Sequence, residues 1–535
     1  MFSFRAILKA LLVSLVVSGI AYGVSKLNVF GIETASDRAA DGAYQRVFAP
    51  SYGKDRKGQK LISVVYLDDL AMDNLRGVGW NRFPPTMDQQ WTMIDDVLHA
   101  SPTPPRAVFV DFLYLGESGE PPGLPAFLDG LAKATHADRW QGRPGCQRDP
   151  LIRLACIIDA GGVPVVLAKP GATDMGLQTD TQRKLDAVTV MAPALVNKTA
   201  YPLITTYSGL DAARRQALGI HDFDLSPAAA LYAAWRIADV RDATSPFAVL
   251  RRQGQAALAG KTPAALPDMS RDFGPPLDVV WGSRPDPDHL RKVKQMSGKL
   301  PDCRGAHSSS VTARFFEQLA VLRGPAQDAR QECPYTLSLG YDRLVSTEGL
   351  LQGDIDRVLA GKLVFVGGQF RSSNDWVETP VQGQVPGVHF HAMALDNLVE
   401  FGRDYRRNVN FQLFDSDLLK TFLIFGLTFF GSLLLMYRNC LVDATASHEP
   451  PGLRLRHYGP CYAVLFLGSI GLVALVTWMG VELQHGTPIN WIGVGFVVIG
   501  FLISATFETL PSDVAGSLRR FHLTRRLEPV MEEAF

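Results

Sequence analysis

Three apolar runs near the end of the chain constrain it more than any other feature. Leu418 to Tyr437, Tyr458 to Met479 and Ile489 to Phe507 each approach the roughly 20 residues that a helix needs to cross a bilayer, and each is nearly free of interior charge. They cannot all be core helices of a soluble domain. A fourth run, Ala10 to Val24, follows Arg5 and Lys9. It reads as a membrane anchor, with a secretory signal as the alternative because Ala21-Tyr22-Gly23 resembles a cleavage site. The expected layout is an anchor over residues 1–24, a large domain over 25–417, spans at 418–437, 458–479 and 489–507, and a tail over 508–535.

Orientation follows from the short loops, because Lys and Arg are retained on the cytoplasmic side. Arg5 and Lys9 precede the first run; Arg438, Arg454 and Arg456 lie between the second and third; Arg519, Arg520, Arg525 and Arg526 follow the last. All three groups fall on one side, so the large domain is expected outside the cytoplasm of a multi-pass inner-membrane protein. Four of the six cysteines, Cys146, Cys156, Cys303 and Cys333, lie in that domain, and an even number in an oxidising compartment suggests disulfides. Three connectivities are possible, and pairing of nearest neighbours is preferred: Cys146 with Cys156 and Cys303 with Cys333. Neither pair has the Cys-x-x-Cys spacing of a zinc site. Cys440 and Cys461 lie at the inner edge of the membrane and are expected as free thiols. The 53 basic residues balance the 53 acidic ones, which gives no reason to expect nucleic acid as a partner.

Within the exported part, short runs rich in Val, Ile and Leu read as buried strands: Leu61 to Leu67, Ala107 to Leu113, Val163 to Ala168, Asp278 to Trp281 and Lys362 to Val366. Trp91 to Ala100 carries Trp91, Ile94, Val97 and Leu98 at helical spacing, and Ser226 to Val240 opens with Ser-Pro as a helix does. Strand, helix, strand implies right-handed crossovers and an α/β domain with a mainly parallel sheet covered on both faces. The Pro-, Gly- and Ser-containing stretch from Ser283 to Asp328 reads as a long insertion.

The stretch Leu359-Ala-Gly-Lys-Leu-Val-Phe-Val-Gly-Gly368, then Asp375, Thr379-Pro380 and Pro386-Gly-Val-His-Phe-His-Ala-Met-Ala-Leu-Asp-Asn-Leu398, resembles the closing signature of the second CHASE family of extracellular sensory domains. Val64 to Asp69, Trp80 before Arg82, and Ala107 to Asp111 stand in the order of that family's first two strands, and three spans after the domain match its usual architecture. The resemblance implies a ligand-sensing domain, usually followed by a cytoplasmic kinase or nucleotide cyclase. Only 28 residues follow Phe507 here, fewer than the roughly 40 that a self-sufficient domain needs. Output through a partner protein, or no output at all, is therefore expected.

Asp68, Asp69 and Asp111 fall at the expected carboxyl ends of strands, where open parallel sheets place their ligand crevice. They could bind a cationic ligand or a metal; equally, they could accept hydrogen bonds from loop backbone or cap the next helix. His389 and His391 form a His-x-His on one face of an expected strand, with Asp375 before it, and two imidazoles and a carboxylate could hold a divalent ion. His391 could instead begin a helix and pack at the base of the domain. Gly254 to Thr262 superficially looks like a phosphate loop, but five residues separate its glycines instead of four and no apolar strand precedes it. No Gly-x-Ser-x-Gly elbow is present, and no cofactor is expected. Val514, Leu518 and Phe521 with the surrounding arginines read either as a helix lying on anionic lipid or as a docking helix for a partner.

Two functional classes remain. One is a sensor or relay subunit acting through other membrane or envelope proteins, in response to a small molecule; the other is an assembly component of an envelope or secretion complex. A metal-dependent exported enzyme is a distant third, because no nucleophile, base and orienting group stand at recognisable spacing. The chain is expected to work as an oligomer or as one subunit of a complex. Intact-mass analysis with and without reductant is expected to find two disulfides in the native protein; four freely alkylated thiols in the exported part would contradict that reading.

Overall fold

The computed structural model describes residues 4–27, 41–80, 83–113, 121–147, 149–170, 180–194, 201–206, 222–262, 267–284, 286–288, 335–346, 352–370, 375–407, 423–429 and 431–432. The chain divides into two units, one formed by residues 1–44 with 409–535 and the other by residues 45–408. In the first unit, helix α1 (Phe4–Leu27) covers the first apolar run, and Leu8, Leu12, Leu15, Val16 and Ile20 on it are exposed. Among the described residues no helix is long and apolar enough to cross a membrane. The expected spans at 458–479 and 489–507 lie outside the described residues, as does most of the one at 418–437.

The second unit is an α/β domain. In chain order it contains β1 (Ile62–Asp68), α2 (Asp69–Leu75), α3 (Met87–His99), β2 (Ala107–Asp111), α4 (Leu124–Ala134), α5 (Pro150–Asp159), β3 (Val165–Lys169), β4 (Val190–Pro193), β5 (Ile204–Thr206), β6 (Phe223–Leu225), α6 (Pro227–Ala238) and α7 (Pro246–Leu258). Then follow β7 (Leu337–Gly340), α8 (Gln352–Leu359), β8 (Leu363–Gln369), β9 (Trp376–Thr379), β10 (Gly383–Pro386) and α9 (Gly387–Phe401). Six strands form one sheet in the order β4-β3-β2-β8-β1-β7, and every pairing in it is parallel.

Strand alternation explains why both faces are covered. Ile62, Val64, Phe109, Phe365 and Val166 pack on one side with α5, α6, α7 and α9. Val65, Leu67, Val108, Val110, Val364 and Val366 pack on the other with α2, α3, α4 and α8. Because successive strand residues point to opposite faces, continuous Val, Ile and Leu runs are what a sheet buried on both sides requires. The helices begin where their caps lie: Thr86 and Gln89 form a reciprocal capping box before α3, and Ser226 accepts from the Ala229 amide before α6.

Four of the five expected strands are present, and the fifth is a correction. Asp278 to Trp281 is not in the sheet; the neighbouring Leu277 instead makes isolated bridges to Tyr201 and Arg407. The Asp278 amide donates to the Arg406 carbonyl, Trp281 to Gln45 Oε1 and Ser283 to the Ala49 carbonyl. The backbone groups of this stretch are thus taken by the segments through which the chain enters and leaves the unit, leaving them unavailable to a ladder. β4 and β7, four residues each, had no counterpart in the sequence reading. Most of the expected insertion at 283–328 lies outside the described residues.

Cys146 and Cys156 are joined in the structure, whereas Cys303, Cys333, Cys440 and Cys461 lie outside the described residues. Gly254 sits inside α7, and a side chain there would strike Ala155 and its backbone in α5. Close helix packing accounts for this glycine, while Lys261 beyond the helix is exposed.

Phe365 is buried at the centre of the sheet and Leu70 is exposed. Phe365→Ala is expected to lower the unfolding free energy by about 3–5 kcal/mol, and Leu70→Ala by no more than about 0.5 kcal/mol. Denaturant titration of both variants checks the ranking.

Candidate functional site

The carboxyl ends of the strands gather the acidic residues singled out in the sequence, but not into one cluster. Asp68 lies opposite Gln369 and Asp111 opposite Gly367, on either side of β8. Two strand spacings, roughly 10 Å, separate them laterally. Asp68 caps α2, its Oδ1 accepting from the Ala71 amide at 2.7 Å. Burial raises its pKa, and Asp342 and Asp69 add to the effect. Asp69 is the exposed first residue of that helix. For this pair the capping role foreseen as an alternative accounts for the geometry of Asp68.

Asp111, Asp375 and His391 do come together. Gly367 makes this possible: a side chain there would crowd Val388 Cβ at 2.9 Å and Asp111 Cβ at 3.1 Å. Its absence lets the first turn of α9 close over the carboxyl ends of β2 and β8. The Gly387 amide donates to the Asp375 carbonyl at 2.9 Å, which fixes the start of the helix. One turn on, His391 Nε2 lies 4.0 Å from Asp111 Oδ2, and His391 Nδ1 lies 2.8 Å from the Tyr201 hydroxyl. That hydroxyl accepts from the Ala228 amide at 3.2 Å, so its own proton is free to be donated to Nδ1, placing the imidazole proton on Nε2. Phe109 packs edge-on to the imidazole.

The electrostatics are those of a dry site. Burial holds Asp111 well above the usual carboxylate range, and the neighbouring Asp375 carboxylate raises it further. Burial pushes His391 down to about 3, against a hydrogen bond to the Ala194 backbone. At neutral pH His391 is a neutral imidazole, so its 4.0 Å approach to Asp111 is not an ion pair.

The His-x-His reading needs correction in the same terms. His389 and His391 lie on α9, where residues two apart point about 200° away from each other. They therefore share no face. Among the described residues no group of three or more His, Cys, Asp or Glu side chains is arranged to hold a metal ion.

Tyr201, 190 residues from His391, carried no sequence signal. Outside this cluster, Lys169, at the end of β3, forms a buried ion pair with Asp224 at 2.6 Å. Only the placement of Lys169 at a strand's carboxyl end could have suggested it.

The folded pKa of His391 lies below its ordinary value of 6.5. The unfolded chain therefore takes up the extra proton first as pH falls, and stability drops from about pH 6.5 towards pH 3, by at most about 1.4 kcal/mol per pH unit. His391→Gln is expected to flatten the fall in thermal midpoint between pH 6.5 and 4. Asp111→Asn should do the opposite, because a raised carboxyl pKa makes stability fall as pH rises; midpoints across this range check both signs.

Against known proteins, the CHASE2 domain family matches residues 27–433, a span that contains the whole sheet and α9. No curated protein and no solved structure matches the chain.

Proposed function

The chain belongs to the CHASE2 domain family, a family of extracellular sensory domains, and we propose that it is a membrane-anchored sensor subunit acting through other membrane or envelope proteins. Its stimulus is read at the Asp111–His391–Tyr201 end of α9. The result leaves through the other end of that helix, by the segments through which the chain enters and leaves the domain.

The observation that carries this reading is the continuity of α9. Its first turn rests on the site through His391. Its later turns hold the chain's own exits: Asn397 Oδ1 accepts from the Val280 amide, and the Asn397 amide group donates to the Val280 carbonyl and the Tyr52 hydroxyl. Val280 belongs to the stretch that pairs with both the entering and the leaving segments. A ligand with different affinities for two positions of α9 would shift both ends of the domain together. The arginine groups flanking the apolar runs support an exported domain, and the family is sensory rather than enzymatic.

Two experiments bear on this. A reporter inserted near Gly324 is expected to be active only outside the cytoplasm and one fused after Phe535 only inside; an externally active carboxyl-terminal fusion would overturn the orientation. From mild detergent an output protein is expected to co-purify, and Asp111→Ala or His391→Ala to change its recovery by about fivefold or more, the lower end of ordinary allosteric couplings. Lys261→Ala should leave recovery unchanged. Loss with the Lys261 variant alone, or co-purification of secretion or cell-wall components in place of an output protein, would contradict the reading.

A further inference from the structure

The later turns of α9 carry a second cluster that the ligand site does not use. Asp396 is fully buried. Its Oδ1 accepts from the Tyr52 hydroxyl at 2.6 Å, and that hydroxyl also accepts from Asn397 Nδ2 at 3.0 Å. Its Oδ2 has no hydrogen-bond partner among the described residues, and neither has the nearby Tyr335 hydroxyl. Oδ2 is pressed against Gly58, where any side chain would collide with it. One helical turn further, Glu400 Oε1 accepts from the Gly58 amide at 3.2 Å. Both carboxyl groups of this helix therefore lie against the same residue of the entering segment, Glu400 by a hydrogen bond and Asp396 by close packing. Tyr52 and Tyr335 meet edge to face across the cluster.

We propose that the Tyr52–Asp396–Glu400 cluster is a proton-operated latch: with Asp396 protonated it holds residues 52–61 onto α9, and with Asp396 ionised beside Glu400 it releases them, so that the domain responds to alkaline pH on its own side of the membrane. The latch stands on the full burial of Asp396, its unpartnered Oδ2 and the nearness of Glu400, which together disfavour a charge there; its use as a stimulus rests on the sensory reading above.

The charges around Asp396 are few. Tyr52 faces it from the entering segment, Tyr335 from the residues before β7, and Glu400 from its own helix. Arg56 and Asp286 act on Tyr335, and Lys57 and Lys60 are exposed. Burial first, then Glu400, push Asp396 up to about 8, against the Tyr52 hydrogen bond. A carboxyl raised in this way is protonated in the fold and ionised in the unfolded chain from about pH 4 to 8, so it makes stability fall as pH rises through that window and adds no further slope above it. Ionisation within the folded domain takes over near pH 8, where a second negative charge arises one turn from Glu400 in a dry environment.

The test uses the full chain in mild detergent, with hydrogen exchange corrected for intrinsic pH dependence and infrared titration of the protonated-carboxyl band. Exchange in residues 52–61 is expected to rise about tenfold between pH 7 and 9, following the ionised fraction of one group. A carboxyl band should disappear over the same range and be missing from Asp396→Asn. Glu400→Gln should move the midpoint down and Tyr52→Phe up, so the proposal stays testable if the Asp396 variant fails to fold. A band that titrates without any change in exchange would overturn the latch, as would a midpoint unmoved by both of the other variants. Because no partner protein or cellular orientation enters this experiment, its failure would leave the sensory reading standing.

Discussion

The structure depends on how a helix laden with polar groups is kept dry. From Gly387 to Leu398, α9 is buried at every residue, and that stretch includes His389, His391, Asp396 and Asn397. An unpaired polar group in such a place costs roughly 1–3 kcal/mol and a charge much more. The cost is limited in two ways: the ionisable groups Asp396 and His391 are held in their neutral forms, and they draw partners from distant parts of the chain. Tyr201 supplies His391, Tyr52 supplies Asp396, and Val280 closes on Asn397. These contacts fix both ends of one helix to separate regions of the domain.

The sheet makes that arrangement possible. β8 runs between β1 and β2, so the segment that leads into α9 emerges from the middle of the sheet, not from its edge. The Gly367 position lets the helix approach where Asp111 ends its strand. The family-like signature, in pieces between Leu359 and Leu398, thus falls on a central strand, a short antiparallel pair of β9 with β10, and the buried helix.

Much of this was legible in the chain. The runs at Leu61, Ala107, Val163 and Lys362 read correctly because a strand buried on both faces needs no alternation, only apolar residues and a polar stop. Asp278 to Trp281 misled for the same reason: it is apolar and extended, yet its hydrogen bonds serve the entering and leaving segments, which local pattern cannot reveal. β4 and β7 were too short to carry a period. Asp111, Asp375 and His391 were singled out from strand-end position and motif, and the fold brings them near one another, whereas the pairing of His389 with His391 assumed a strand period where a helix forms. Tyr52 and Tyr201 were invisible, since a tyrosine announces a hydroxyl but not the distant partner that it will satisfy.

The central claim is that α9 carries a disturbance from the site to the ends of the domain, and hydrogen exchange in the Tyr201→Phe variant of the full chain tests it most directly. Removing that hydroxyl strips His391 of its Nδ1 partner and Ala228 of its acceptor. If the helix transmits, exchange should also quicken through residues 397–401 and at the Gly58 amide, which Glu400 holds at the far end of α9, away from the direct Tyr201–Leu277 bridge. If it quickens only around Tyr201, Ala228 and His391, the two ends of α9 are energetically independent and the site does not communicate through it.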